Sequence, residues 1–151
     1  MPLSIFVRFN DEQSTDYGHI GDRVKYLPQN LFMPPRMTLD EAFRLYDVEY
    51  DGLVSFDPKF HTFQKKQFRE LSGGEARVAE MFIIIKSPSD FCILDEPFSN
   101  IAPIHVEKMQ SLIREEKANK GIIVSDHLYE AIIQVSDNLF LLRDGYTFPV
   151  R

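Results

Sequence analysis

Two short strings hold the residues best suited to chemistry. Leu71 to Glu75 reads Leu-Ser-Gly-Gly-Glu, and Leu94-Asp95-Glu96-Pro97 closes an apolar run that begins at Phe91. The first offers backbone N–H groups at a helix start to an anion. The second sets two adjacent carboxylates at the mouth of a strand, where they can serve a metal ion and a water molecule. Together they point to phosphate chemistry with a metal ion. No Gly-x-x-x-x-Gly-Lys-Ser/Thr string, the loop that ordinarily cradles phosphates, occurs in the chain. A nucleotide site is therefore expected here only in part.

Each string also has a plainer reading. Ser72 as N-cap and Glu75 at the third helical position make an ordinary capping box. Against that, Gly73 and Gly74 are poor helix formers that let a ligand approach the backbone and leave the first amides open to a phosphate. Asp95 and Glu96 can be a solvated pair in a surface loop. At the carboxyl end of a strand in an open parallel sheet, however, they stand where such sheets place ligands. In one division of labour Asp95 holds a hydrated Mg²⁺ while Glu96 polarises a water for attack on a phosphoryl group. His127, in Ser125-Asp126-His127, follows the next apolar run and should emerge at the same edge. A lone histidine is usually structural, but the shared edge raises this one. Gln29 has the corresponding place after Tyr26-Leu27-Pro28, where a neutral amide can sense Mg²⁺ or the attacking water without adding charge.

The elements that must position these groups follow from the pattern of apolar residues. Ile5 to Phe9 reads as a short strand running into a polar loop or hairpin, and Val24 to Leu27 as a second strand. Pro34-Pro35 forbids a helix at that point. Thr38 and Glu41 form a capping box for a helix from Leu39 to about Asp47. Asp47 to Phe63 has no clear period and is expected to be loop with at most a turn of helix. From Ser72 a helix apolar on nearly all sides runs to the residues before Pro88. Phe91 to Leu94 and Ile122 to Val124 are expected to be buried parallel strands, with a helix between them that Gly121 closes. Leu128 to Val135 reads as a helix, Leu139 to Leu142 as a strand, and Asp144-Gly145 as a tight turn into Tyr146 to Val150. The fold class is thus α/β, a mostly parallel sheet with flanking helices.

Composition excludes several classes of function. A formal charge of −6 over 151 residues argues against nucleic-acid binding, and the nearest basic cluster is Lys65-Lys66 with Arg69. The single cysteine, Cys92, permits no intrachain disulfide, reads as packing, and favours a reducing, cytoplasmic setting. The longest apolar stretch, Met81 to Ile85, falls far short of the ~20 residues of a spanning helix, so no direct membrane insertion is expected. The N-terminus has no signal-peptide pattern. Any membrane role would come through a partner.

Taken in order, Gln29, Leu71 to Glu75, Asp95-Glu96 and His127 resemble the ATP-binding cassette (ABC) ATPase family, and the resemblance extends over nearly the whole chain. Leu-Ser-Gly-Gly-Glu looks like the family signature, Phe91 to Pro97 like its Walker B strand, Gln29 like the Q-loop glutamine and His127 like the switch histidine. Ile5 to Asn10 resembles the strand after the phosphate-loop helix, so the chain looks like a P-loop NTPase domain without its first strand, Walker A loop and first helix. The resemblance implies an ATPase core at 1–29 and 71–151, with a helical subdomain at 30–70 that in transporters docks on the membrane-spanning subunit.

By the same resemblance the cofactors are ATP and Mg²⁺. Glu96 would be the general base, Asp95 the acid associated with Mg²⁺, and His127 a contact to the γ-phosphate. Gln29 would couple nucleotide state to a partner. Ser72, Gly73, Gly74 and Glu75 would meet ATP held by a second ABC ATPase protomer. The expected function is the ATP-binding subunit of an ABC transporter, inactive alone for want of Walker A. The alternatives are a non-catalytic half-site that completes or regulates a partner ATPase, and a soluble cassette protein of translation or DNA maintenance. One position departs from the family pattern: Ala102 stands where an Asp is common.

Overall fold

The computed structural model describes residues 7–9, 12–14 and 21–150. At its start β1 (Val7–Phe9) pairs antiparallel with β2 (Glu12–Ser14), so the expected hairpin forms. Ile5, expected in the same strand, lies outside the described residues. The short apolar runs then build the sheet that matters. β3 (Val24–Leu27), β4 (Phe91–Asp95) and β5 (Gly121–Ser125) lie parallel in the order β3-β4-β5, with Leu27 level with Leu94 and Asp95 level with Ser125. All three strands end on one edge. Gln29, Glu96 and His127 are thereby carried to the same side of the molecule, as the apolar spacing predicts.

The sheet departs from the expected burial. Cys92 and Leu94 are fully buried, but Phe91 is 41% exposed and Ile123 60% exposed. Alternation explains the pattern, since successive side chains point to opposite faces of a strand. One face, with Leu27, Cys92 and Leu94, meets the helices. On the other, Tyr26 and Ile123 are half or more exposed among the described residues. An unbroken apolar run gave no warning of this, because such a run is read as buried on both sides.

Three helices and two short 3₁₀ turns lie between β3 and β4. α1 (Leu39–Leu45) begins in the expected capping box, with Thr38 Oγ1 accepting from the Glu41 N–H at 3.2 Å and Glu41 Oε2 accepting from the Thr38 N–H at 2.8 Å. It ends sooner than the sequence suggests, and Asp47 turns the chain at a φ of 55°. Residues expected to be loop form α2 (Tyr50–Phe56) and a 3₁₀ turn at Pro58–Thr62. A second 3₁₀ turn, Phe68–Glu70, leads into α3 (Gly73–Lys86).

α3 is the axis of the core. Every residue from Ala76 to Ile85 is buried. It packs on β3 and β4 on one side and on α1 and α4 on the others. The ring of Phe82 stacks on Phe43 of α1 at 6.1 Å and meets Phe56 of α2 at 5.6 Å, so an aromatic cluster fixes the helical segment to the core. α4 (Pro103–Glu116) is amphipathic and buries Met109, Leu112 and Ile113. It ends at Glu116, and Gly121 starts β5 instead of closing the helix. After α5 (Tyr129–Ile133), β6 (Phe140–Arg143) and β7 (Tyr146–Pro149) make an antiparallel hairpin apart from the parallel sheet. Asp144 and Gly145, with φ of 51° and 80°, form its tight turn.

Candidate functional site

At the common edge of the sheet the chain leaves β4 through strained backbone. Glu96 has a φ of 46° and Asn100 a φ of 61°, a region costly for side chains other than glycine and often retained at functional sites. The Glu96 N–H donates to the Ser125 carbonyl at 2.7 Å, which extends the β4–β5 pairing one step past the strand. The Glu96 side chain then turns into an open cavity of about 480 Å³ whose lining includes Gln29, Ser99, Asn100 and His127.

Inside it, Gln29 Nε2 donates to Glu96 Oε2 at 2.8 Å, and Ser99 Oγ donates to the same oxygen at 3.2 Å. His127 Nδ1 stands 3.8 Å from that oxygen and 3.5 Å from Asp126 Oδ1. All three of these contacts fall on Glu96 Oε2 and none on Oε1. Residues at 29, 96 and 127 thus meet around one carboxylate. Asp95, half-buried beside it, is oriented by two hydroxyls: Ser125 Oγ donates to its Oδ1 at 2.7 Å and Tyr26 OH to its Oδ2 at 3.2 Å.

The Ser72–Glu75 string is built differently. Ser72 Oγ accepts from the Glu75 N–H at 3.3 Å, and Glu75 Oε2 accepts from the Ser72 N–H at 2.9 Å. The capping box is real. Those bonds, the backbone one first and against a smaller opposing effect of burial, hold the Glu75 carboxyl below its ordinary range, with Lys59 Nζ at 3.5 Å adding to them. Ser72 and Gly73 are exposed, and none of the four residues lines the cavity. The two regions meet at one point: a Cβ on Gly74 would stand 3.3 Å from the Asn100 carbonyl, whereas one on Gly73 would meet nothing within 4 Å.

No family model matches the chain. Among curated proteins it is 31% identical over 150 residues to an uncharacterized ABC transporter ATP-binding protein of Methanocaldococcus jannaschii, covering 89% of this chain and 55% of that protein. It is 34% identical over 86 residues to the lipopolysaccharide export system ATP-binding protein LptB of Acidithiobacillus ferridurans, covering 56% of this chain and 36% of that one. Its fold matches a solved ATP-binding subunit of an ABC transporter with a TM-score of 0.70 and 20% identity, over 85% of this chain and 60% of that one. Its curated relatives are ABC transporter ATP-binding proteins, and its fold is that of the ABC ATPase domain in part. The chain spans about half the length of these relatives, or less.

Whether this edge suits Mg²⁺ depends on its oxygen donors. The described residues hold no group of three or more His, Cys, Asp or Glu side chains able to bind a metal. Asp95 and the Gln29 amide oxygen are donors of the hard type that Mg²⁺ prefers, and this ion is ordinarily bound through one or two carboxylates together with substrate phosphates and water. The chemistry of these two donors fits Mg²⁺ where phosphates and water complete its shell.

Several residues that shape the edge have no signal in the sequence. Asp126, whose side chain is fully buried, accepts from the Phe98 N–H at 3.0 Å and the Leu128 N–H at 2.9 Å, so it pins the loops that carry Ser99 and His127. Arg77 and Glu80 of α3 are buried as well. Arg77 donates to the carbonyls of Pro28, Asp95 and Glu96 at 2.6, 2.9 and 3.0 Å. Glu80 Oε1 accepts from the N–H groups of Phe32 and Met33, both at 2.9 Å. Burial pulls the Arg77 pKa down against the acids around it, and pushes the Glu80 carboxyl up against those two N–H groups and Arg77. The partners of Arg77 and Glu80 lie 18 to 49 residues away in the chain.

Proposed function

We propose that this chain is the part of an ABC transporter's ATP-binding subunit that carries the hydrolytic acids. The observation that supports it most is the Gln29–Glu96 bond of 2.8 Å with His127 beside the same carboxylate oxygen. Glu96 is the general base. Its Oε2 is held by Gln29 and Ser99, which leaves Oε1 to take a proton from the attacking water. His127 faces the outgoing γ-phosphate, and Asp95 with Gln29 would hold Mg²⁺, which supplies charge neutralisation to the phosphates when bound. The 30–70 segment docks on a membrane-spanning subunit at the cytoplasmic side. No helix among the described residues is long and apolar enough to cross a membrane.

The test is ATP turnover by the chain joined to a segment bearing a Gly-x-x-x-x-Gly-Lys-Ser/Thr loop. Turnover is expected, with Glu96→Gln retaining ATP binding and losing a hundredfold or more, roughly the span of general-base catalysis. Unchanged turnover in Glu96→Gln removes Glu96 from the role of base.

Exposed Ser72 and Gly73, standing outside the cavity, favour a second reading: a half-site that offers its helix start to ATP bound by a complete ABC ATPase protomer. Mixing the chain with such a protein should raise the partner's ATPase rate, and Gly73→Asp should abolish the increase by setting a carboxylate against the phosphates. A Gly73→Asp chain that stimulates as well as the wild type counts against it.

A further inference from the structure

Gln29 and Glu96 are 67 residues apart, and neither sits inside a regular element: one lies in the loop after β3, the other one residue past β4. Their separation of 2.8 Å must therefore be set by something else. Both flanks are tied to α3. Arg77 holds the carbonyl immediately before Gln29 and the carbonyls of Asp95 and Glu96 in one fork. A guanidinium is planar and rigid, so the three carbonyls keep a fixed relation. One turn further along, Glu80 holds the N–H groups of Phe32 and Met33, so the Gln29 loop is fastened on both sides.

Packing does not explain this pair. Arg77 is 3% exposed and Glu80 1%. Burying ionisable groups costs stability that apolar side chains of similar volume avoid, and here Arg77 Nε and Glu80 Oε2 are buried without a partner. What the pair supplies, and an apolar pair cannot, is directed bonds to two loops that regular structure leaves unheld.

We propose that Arg77 and Glu80 are positioning residues, a clamp that sets the Gln29 amide against the Glu96 carboxylate and ties both to the helix that begins at Ser72–Glu75. The proposal rests on the roles given above to Gln29 and Glu96. Arg77 lies one turn past Gly73–Gly74, so a ligand that tilts or shifts that helix start moves the fork and the carbonyls it holds. Contact at Ser72–Gly74 is then felt at Glu96 through a single side chain.

Amide hydrogen exchange resolved by NMR on the 151-residue chain tests the clamp. In Arg77→Lys, which keeps the charge but not the fork, the Glu96 and Ser99 amides are expected to exchange about tenfold faster or more, the scale of losing hydrogen bonds to a charged group. The α4 amides should stay as in the wild type. In Glu80→Met the Phe32 and Met33 amides lose protection, and Glu80→Gln, which keeps an acceptor, restores it. Wild-type protection at these amides in the folded variants overturns the proposal, and so does a uniform rise across α3, α4 and the sheet. If Arg77→Lys does not fold, the Glu80→Met and Glu80→Gln pair decides alone. Mg-ATP added to the chain joined to a segment bearing the phosphate loop should shift the Gln29 side-chain amide signal. No shift would tell against the cassette reading of the site, while the exchange data would still decide the clamp.

Discussion

The Ser72–Glu75 helix start and the Glu96 carboxylate are both polar, and both lie near the Asn100 loop, yet they are held by opposite means. In the first, donors and acceptors are three residues apart and close on each other. In the second, Gln29 and Glu96 are 67 residues apart, and the Glu96 backbone sits at a φ of 46°. The helix start thus stabilises the chain, while the acid edge draws on stability supplied elsewhere. Groups that relax locally favour folding, and groups held in costly conformations by their surroundings are the ones poised for chemistry.

That contrast can be broken by substitution. Removing both halves of the capping box, Ser72→Ala with Glu75→Ala, should lower the unfolding free energy by about 2 kcal/mol in urea titrations, near the upper end for a helix cap. If the cost is under a few tenths, the helix start is not a source of stability and the comparison falls. At the acid edge the sign should reverse. Glu96→Gly relieves the positive φ and is expected to raise stability by up to about 1 kcal/mol, even though the bonds from Gln29 and Ser99 are lost. A clear loss of stability would show that the edge is held by those bonds rather than strained.

Smaller effects sharpen the comparison. Gly73→Ala enters open space on a helix and should stabilise by roughly 0.5 kcal/mol. Gly74→Ala, whose methyl stands 3.3 Å from the Asn100 carbonyl, should gain less. Equal gains at both would mean that the Asn100 loop yields freely. The smallest effect is in acid. The Glu75 carboxyl is held below its ordinary value, so its contribution is present above that value and is lost as pH falls through the folded one. The stabilities of wild type and Glu75→Ala should therefore begin to converge as pH falls below about 4.3, the ordinary glutamate value.

The same contrast governs how much was legible in the sequence. Local rules gave both capping boxes and the Asp144-Gly145 turn, because their partners are neighbours in the chain. The common strand edge was legible from the ends of apolar runs. α2 was not: Gly52 and Val54 are weak helix formers, and its Glu49 N-cap makes no side-chain bond. What holds α2 is aromatic packing against Phe82, some 26 residues later. Arg77 and Glu80 are hidden in the sequence for a related reason. Within a helix read as apolar they look like its solvated face, and only the folded chain shows the backbone groups they reach.

The open side of the sheet has a consequence for how the molecule behaves in company. Among the described residues, Tyr26 and Ile123 leave aromatic and branched surface exposed on a layer that parallel sheets ordinarily keep covered. In a concentrated solution the nearest match for that surface is the same surface on another copy, and the force that keeps copies apart is their shared charge of −6. Salt shortens the reach of that repulsion to about 10 Å at 0.1 M and about 3 Å at 1 M. The colloidal behaviour of the chain is thus expected to respond to ionic strength, with crowding and salt acting in the same direction on a face whose Tyr26 also reaches Asp95 at its end.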